Sequence, residues 1–435
     1  MILDRMLKNR SNVWGRWQLE RWGQKGQGPP HSGVLKCTRG PSYLLPRTIL
    51  RLPSPLCILH ILKQPLTFAT GYLYLWSELS SVVFSEFRHH LTLIQRSLPA
   101  MPPSDSKHQF LGTEHDCYYA TDPRVNKELA TSLAGKICVI AGAGRGIGQA
   151  IARFFAHASA KVLVLYALEQ DELDATARQC KEIHPDIKIN TAVLDVRDAD
   201  AVKTALESVD TEFGGIDVLL MNAGRPPQWL DTVDSNPKIW WDTVAISLQG
   251  AFNFSRYALP IMQRQKSGRI IFTSSSGAHF NFGFGSYTLS KLALIRMAEI
   301  IHAENYKQFG IHAFAFHPGA VQTRFYYDFE DKALGKPARI NSYVEEGAEN
   351  EDKSAELAFN TFKGIQWDTP EMAAGLVLAL SAGKLDFMSG RYVDASVNIE
   401  KYIADKDSIV EQDLHRVRLH YANSLVDGLM PVLEY

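Results

Sequence analysis

Several features that mark particular classes of protein are scarce or missing in this sequence. Its five cysteines are odd in number and scattered, without a CxxC pair or a zinc-like Cys/His spacing, so neither disulfides nor a metal site is expected. The only charge-free run above twenty residues, 270–290, is rich in Ser, Gly and Asn, which excludes a membrane span there. A net charge of −1 also argues against nucleic acid as a partner.

Acidic residues are scarce at the start of the chain. Residues 1–100 hold 13 Lys and Arg but only 4 Asp and Glu, whereas the remainder holds 33 and 43. The first part also has many prolines and no sustained hydrophobic period, which does not indicate a core of its own. We therefore predict a basic, poorly structured extension over 1–104 and a single folded domain over 105–435.

The extension leaves three interpretations open: an organelle-targeting segment, a partner-binding tail, or translated sequence outside the natural product. The segment Met101-Pro102-Pro103-Ser104 resembles a start and favours the third interpretation. No secretory hydrophobic segment occurs in the first 30 residues, so the expected location is the cytoplasm, with organelle targeting as the alternative.

From residue 136 onward, short apolar runs alternate with amphipathic stretches. The runs predict strands over 136–140, 161–166, 187–194, 216–221, 269–273, 311–316 and 390–393. Helical spacing predicts helices over 147–158, 172–182, 199–213, 240–263, 286–309 and 370–381. Repeated βαβ units predict an α/β fold, a doubly wound parallel sheet with helices on both faces. A polar insertion at about 324–368 is expected to form a substrate lid.

A glycine-rich turn, AGAGRGIG over 141–148, joins the first predicted strand to a helix. Glycines let the backbone turn tightly and approach a pyrophosphate, whose charge is favoured at a helix N-terminus. A tight turn without ligand and an S-adenosylmethionine-dependent methyltransferase remain alternatives, because several folds use such a turn.

The motifs resemble those of the short-chain dehydrogenase/reductase family. The spacing of Gly142, Gly146 and Gly148 is similar to its TGxxxGxG turn, with Ala141 where Thr is usual, and Asn222-Ala223-Gly224 is similar to its NNAG segment. The resemblance implies a Rossmann-like fold and a bound nicotinamide cofactor. The residues it assigns to the cofactor are Gly142, Arg145, Gly146, Ile147, Gly148, Tyr166, Asp195, Val196, Asn222, Ala223, Gly224, Tyr287, Lys291, Val321 and Thr323.

The choice between NAD and NADP depends on the residues at the end of the second predicted strand. An acidic side chain there would bind the ribose 2′-hydroxyl of NAD, but Tyr166 and Ala167 are uncharged. Arg145 stands where many NADP-preferring family members carry a base. We therefore predict NADP as the cofactor, with NAD as an open alternative.

The pattern YxxxK at Tyr287 and Lys291 places a phenol and an ammonium on one face of a helix. A nearby cation stabilises phenolate and brings the tyrosine towards its working range as an acid or base. By resemblance, a serine hydroxyl then binds the substrate oxygen: strand register indicates Ser275, whereas the usual interval before Tyr287 indicates Ser274. Ser247 stands where the family often has an Asn that holds a proton-relaying water, and His317 is expected to be structural.

The predicted function is hydride transfer between NADP(H) and a ketone or secondary alcohol. Aromatic residues near the strand ends favour an apolar or aromatic substrate: Trp229, Phe280, Phe282, Phe284, Phe325, Tyr326 and Tyr327. A homodimer or homotetramer is implied by the resemblance. The alternative is a cofactor-binding regulatory protein that has lost chemistry, which Ser247 motivates and the intact Ser, Tyr and Lys set disfavours. The segment 222–224 and the YxxxK pattern disfavour a methyltransferase.

Overall fold

Seven parallel strands form the centre of the domain. The computed structural model describes residues 112–280, 284–339, 342, 344 and 348–419. Its strands are β1 (Ile137–Ala141), β2 (Val162–Ala167), β3 (Lys188–Val193), β4 (Val218–Met221), β5 (Gly268–Thr273), β6 (Ile311–His317) and β7 (Arg391–Asp394). They pair in the order β3-β2-β1-β4-β5-β6-β7, which confirms the predicted doubly wound sheet. The predicted extension over 1–104 lies outside the described residues.

Helices cover both faces of this sheet. They are α1 (Gly146–His157), α2 (Gln170–Ile183), α3 (Ala199–Phe213), α4 (Pro237–Val244), α5 (Gly250–Gln265), α6 (Gly285–Phe309), α7 (Arg324–Ala333), α8 (Glu351–Phe362), α9 (Pro370–Ser381), α10 (Ile399–Ala404) and α11 (Lys406–Glu411). Alternate residues of β2 enter opposite cores: Leu163 and Leu165 pack with α1 and α9, and Val164 packs with α3, α5 and α6. Within the described part of the chain, no helix is both long and apolar enough to cross a bilayer.

One long helix predicted over 240–263 is in fact two helices joined by a π-helical turn. The turn spans Ala245–Gln249, between α4 and α5. Close packing accompanies it: a Cβ at Gly250 would lie 2.5 Å from Val196 Cγ2, so α5 starts pressed against the chain that follows β3. The hydrophobic pattern continues across the turn, which is why the sequence did not reveal it. Such turns often lie at functional sites.

The insertion after β6 contains α7 and α8 and contacts the connection between β4 and α4. The Trp229 backbone N–H donates to Ser354 Oγ at 2.9 Å, and Gln228 Nε2 donates to the Glu349 carbonyl at 3.3 Å. Lys353 and Asp234 form an ion pair across the same contact. The insertion is therefore attached to the body of the domain beside the carboxyl ends of the strands.

Residues just before β1 belong to the same packed unit. The Glu114 N–H donates to the Ser396 carbonyl and the Thr369 N–H donates to the His115 carbonyl, both at 2.9 Å. His115 Nδ1 lies 2.6 Å from Asp368 Oδ1, while the other oxygen of that carboxylate accepts from the Ala320 N–H at 2.6 Å. This chain of contacts fixes the loop that follows β6.

Candidate functional site

A cavity of about 440 Å³ opens at the carboxyl ends of the central strands, where doubly wound sheets bind ligands. Fourteen of the fifteen residues that sequence analysis assigned to a cofactor border it, and Gly148 lies behind the wall. Residues that sequence analysis missed border it as well: Gly144, Ala167, Leu168, Glu169, Glu172, Leu194, Arg197, Arg225, Ile246, Thr273, Pro318, Gly319, Arg324 and Ser342. The predicted motifs therefore meet in one place.

The glycine turn between β1 and α1 has no room for side chains. Gly142 has φ +87°, and a Cβ there would lie 2.6 Å from the Ala223 nitrogen. A Cβ at Gly148 would lie 1.9 Å from the Gly142 carbonyl oxygen. Because α1 begins at Gly146, the first backbone N–H groups of the helix have no intrahelical partner. This bare backbone at a helix N-terminus fits the pyrophosphate of a dinucleotide.

Asn222 links this turn to the centre of the sheet. Its Nδ2 donates to the Gly142 carbonyl at 2.9 Å, and its Oδ1 accepts from Thr273 Oγ1 at 3.1 Å. One amide thereby connects the glycine turn with the ends of β4 and β5. The side chain therefore holds the glycine turn against the end of β4.

Tyr287 and Lys291 lie on the first turns of α6 and face the end of β5. Lys291 Nζ donates to the Thr273 carbonyl at 2.7 Å and lies 5.3 Å from the centroid of the Tyr287 ring. Tyr287 also hydrogen-bonds Ser275. Burial raises the pKa of Tyr287 to about 12, with the Ser275 hydrogen bond opposing it, and burial lowers the pKa of Lys291 to about 8.

The two candidate serines differ in where their hydroxyls point. Ser275 Oγ accepts from the Gly277 N–H at 3.0 Å and stays beside Tyr287. Ser274 is fully buried, and its Oγ donates to the Lys291 carbonyl at 2.8 Å, so it ties α6 to β5. Ser275 Oγ is therefore the hydroxyl beside the Tyr287 phenol, whereas Ser274 is the serine that borders the cavity. His317 is buried and accepts from the Ser276 N–H at 3.1 Å, an arrangement that supports the same loop.

Replacing Lys291 by Met is expected to raise the free energy of unfolding by about 1–3 kcal/mol at pH 7, because a side chain only 4% exposed no longer has to hold a charge. The lost bond to the Thr273 carbonyl limits the gain. Between pH 8 and 10.5 the unfolded wild-type chain binds the lysine proton and the folded one does not, so wild-type stability rises across this window. Denaturant unfolding of both proteins from pH 7 to 10.5 should therefore show that the stability advantage of Lys291→Met over the wild type decreases as the pH rises.

Exposed Lys127 provides the control for this measurement. Lys127→Met should show no gain that depends on pH, because its charge stays in water in both states. If Lys291→Met were no more stable than the wild type at pH 7, or if its advantage in unfolding free energy grew with pH, the burial of the lysine charge could not be the cause.

Ser247 lies in the π-helical turn next to Lys291. It is 3% exposed, and its Oγ has no hydrogen-bond partner among the described residues. A Cβ at Gly224 would lie 3.6 Å from Lys291 Nζ and 3.7 Å from Ser247 Oγ, so both atoms approach the same point. Glycine at 224 leaves that point open, with room for a bridging water between the hydroxyl and the ammonium.

Charged side chains surround the cavity at the end of β2. Arg145 Nη1 donates to Glu172 Oε1 at 2.6 Å. The Tyr166 side chain turns away into the core and packs on Phe254 at 5.8 Å between centroids, so its backbone and Ala167 face the cavity. Farther along the rim, Arg197 bonds Asp195 and holds the pKa of that carboxyl below its usual range.

Aromatic rings surround Tyr287 on the substrate side. The Phe325 ring centroid is 5.4 Å from that of Tyr287, and the Phe284 centroid is 6.4 Å away. Trp229 packs on Phe284 at 4.7 Å, and Phe280 contacts the same ring from another side.

The remaining candidate aromatic residues do not join this group around Tyr287. Tyr326 packs on Trp367 at 4.8 Å, and Tyr327 lies under Arg339 at 5.1 Å. Phe282 lies outside the described residues. Phe325 therefore borders the cavity next to Tyr287, and buried Phe284 packs behind it against the Tyr287 ring.

Known proteins resemble this chain in sequence and in structure. A family profile described as short chain dehydrogenase matches residues 136–333. The short chain dehydrogenase mpl6 of Monascus purpureus is 30% identical over 326 residues, covering 74% of this chain and 99% of that protein. The short chain dehydrogenase pigC of Monascus ruber is 28% identical over 333 residues, covering 75% and 99%. The crystal structure of levodione reductase matches 60% of this chain and 96% of its own, with 25% identity and a TM-score of 0.51.

Proposed function

The chain belongs to the short-chain dehydrogenase/reductase family, and from that premise we propose that it transfers hydride between NADP(H) and an apolar or aromatic ketone or secondary alcohol. Membership makes it an oxidoreductase of CH–OH groups that uses a nicotinamide cofactor. The observation that carries the finer proposal is the position of buried Lys291, whose Nζ lies 5.3 Å from the centroid of the Tyr287 ring on the wall of the cavity that the cofactor motifs border, with Ser275 hydrogen-bonded to Tyr287. When bound, the nicotinamide ring supplies or accepts the hydride.

In this mechanism, Tyr287, Ser275 and Lys291 each have a separate role at the substrate oxygen. The Tyr287 hydroxyl gives this oxygen a proton during reduction and removes one during oxidation. Ser275 orients the oxygen from the end of β5. Lys291 lies behind the Tyr287 ring and stabilises phenolate when it forms. In the free protein, burial raises the Tyr287 pKa to about 12 and keeps the hydroxyl protonated at neutral pH, so the expected lowering of this pKa by Lys291 is outweighed by burial.

The substrate class follows from the walls of the cavity next to Tyr287. Phe325 presents an aromatic ring to the cavity 5.4 Å from that of Tyr287, and Phe284 supports the Tyr287 ring from behind, so this wall suits a flat, apolar substrate. The insertion supplies Phe325 together with Arg324 and Ser342, so it acts as the lid over the substrate. Levodione reductase, by its name, reduces a ketone, in keeping with this proposal.

We propose that Ser247 relays protons to Lys291 through a water at the open point beside Gly224. Ser247→Ala should lower kcat about three- to tenfold with little change in the Kd of the cofactor, because only the relay is lost. Steady-state rates in H₂O and D₂O measure this, since loss of a proton relay raises the solvent isotope effect.

Ser255 is the matched control for the Ser247 variant. It is another buried serine whose Oγ has no partner among the described residues, but it lies on α5 away from the cavity. Ser255→Ala should keep the wild-type rate. Equal rates for Ser247→Ala and the wild type would remove Ser247 from the mechanism.

We also propose that the chain assembles as a homodimer or homotetramer in the cytoplasm. Apolar side chains on α4, α5 and α6 are unusually exposed: Trp241 at 65%, Phe252 at 56% and Leu289 at 53%. Sedimentation of the purified chain measures the assembly, and a monomer at micromolar concentration would exclude it.

The direct test of the proposed function is titration of NADPH and NADH against the full chain and against residues 101–435. We propose that the domain over 105–435 contains the whole site, so both forms should bind with the same Kd. Failure of the full chain to bind either nucleotide would overturn the proposed function. Binding without turnover across a panel of aryl and cyclic ketones would favour a regulatory protein.

A further inference from the structure

We infer that Glu172 narrows the preference of this chain for NADP(H) over NAD(H), because its carboxylate occupies Arg145, the base available to a 2′-phosphate. The inference rests on the proposed function, because it concerns the adenosine end of the same cavity. The sequence motifs connect Arg145 and Tyr166 with this choice and give Glu172 no role. The structure assigns it one, since the carboxylate and the guanidinium are hydrogen-bonded at 2.6 Å on the cavity wall.

The position of Glu172 is set by the backbone around it. It lies in the first turn of α2, where a carboxylate is favoured by the free N–H groups of the helix. A Cβ at Gly144 would lie 2.9 Å from Glu172 Oε2 and 3.2 Å from Ala167 Cβ. The carboxylate thus lies between the glycine turn and the end of β2, the place where a doubly wound sheet receives the adenosine ribose.

Both partners remain accessible to a ligand. The Arg145 side chain is 28% exposed and that of Glu172 is 25% exposed. An ion pair of this exposure is weak, so a phosphate with nearly two negative charges competes with the carboxylate for the guanidinium. This competition lowers the affinity for NADP(H), because the 2′-phosphate must approach the Glu172 carboxylate to reach Arg145.

The charges around this part of the cavity weaken the attraction that Arg145 offers to a 2′-phosphate. Glu169, at the start of α2, borders the cavity with a second carboxylate, so two acids lie near Arg145 at this end. Arg197 does not restore the balance, because its guanidinium bonds Asp195 and lies 3.4 Å from Asp242. The carboxylates accept hydrogen bonds from a ribose hydroxyl and repel a 2′-phosphate, so they offset part of its attraction to Arg145. Glu172 therefore narrows the preference for NADP(H) over NAD(H).

Removing the charge of Glu172 tests this directly. In Glu172→Gln, the Kd of NADPH should fall about tenfold relative to that of NADH, because Arg145 is released and one repulsion disappears. Equilibrium fluorescence titration of the full chain with both nucleotides measures the ratio without any substrate. Glu182→Gln is the matched control: this exposed glutamate lies on the same helix outside the cavity, so its variant should leave the ratio unchanged.

The double variant Arg145→Gln/Glu172→Gln tests whether Glu172 acts on cofactor preference through Arg145 or only stabilises the local structure. In an Arg145→Gln background, Glu172→Gln should change the Kd ratio at most threefold, since there is no guanidinium left to release. A structural role would instead weaken both nucleotides together. A ratio changed less than twofold by Glu172→Gln, with both nucleotides still bound, would overturn this inference alone. A wild-type chain that binds neither nucleotide would overturn it together with the proposed function.

Discussion

Tyr287→Phe is expected to lower kcat for ketone reduction by a factor of about 10²–10⁴ while the Kd of NADPH stays within about threefold of the wild type. The variant removes the only proton that the ring can give to the substrate oxygen and keeps the ring between Phe284 and Phe325. Stopped-flow measurement of nucleotide oxidation with saturating ketone gives kcat, and fluorescence titration gives the Kd.

Tyr306→Phe is the control for this variant. Tyr306 lies on the same helix, α6, is 42% exposed and contacts His302 and His312 outside the cavity. It should keep the wild-type kcat. If Tyr287→Phe retained more than about a tenth of the wild-type kcat, another group would have to protonate the substrate.

Gly148→Ala is the second substitution with a large expected effect. The new Cβ would lie 1.9 Å from the Gly142 carbonyl oxygen and 2.9 Å from Asn222 Nδ2, so the glycine turn must move away from α1. We expect the free energy of unfolding to fall by at least about 3 kcal/mol, the upper range for overpacking a close contact. Nucleotide affinity should fall more than about tenfold, because the N–H groups that would hold the pyrophosphate move with the turn.

Gly214→Ala distinguishes this clash from the ordinary cost of replacing glycine. Gly214 has φ +88° at the C-terminus of α3, and nothing lies within 4 Å of its Cβ position, so only backbone strain of about 1–2 kcal/mol applies. Thermal unfolding and nucleotide titration of both variants compare the two costs. A Gly148→Ala protein with wild-type stability and Kd would mean that the turn does not form the close contact described.

Local sequence patterns predicted those parts of the molecule that local chemistry determines. The strands were recognisable because buried parallel strands are continuous apolar runs, as in Ile137–Ala141. The cavity motifs were recognisable because each follows a strand end, and parallel strands bring their carboxyl ends to one edge of the sheet. Tyr287 and Lys291 could be paired because residues four apart share one helical face.

Contacts between distant segments escaped prediction. The Arg145–Glu172 ion pair forms only when the turn after β1 packs against the start of α2, and no local pattern in the sequence predicts that contact. The π-helical turn at Ala245–Gln249 preserves the hydrophobic pattern of the helices on both sides, so periodicity does not show it. The helices α7 and α8 lie in a polar segment whose docking on Trp229 depends on tertiary contacts. The available signal for Glu172 was its place in the first turn of a helix that follows β2.

Transfer of deuterium from NADPH labelled at the nicotinamide C4 to an aryl ketone tests the central claim most directly. The full wild-type chain is predicted to place one deuterium on the carbinol carbon per turnover, and Tyr287→Phe is predicted to bind the labelled nucleotide and form almost no labelled alcohol. Mass spectrometry of the product measures both. Tight binding of NADPH by the wild type with no deuterium transferred to any ketone of the panel would contradict the account.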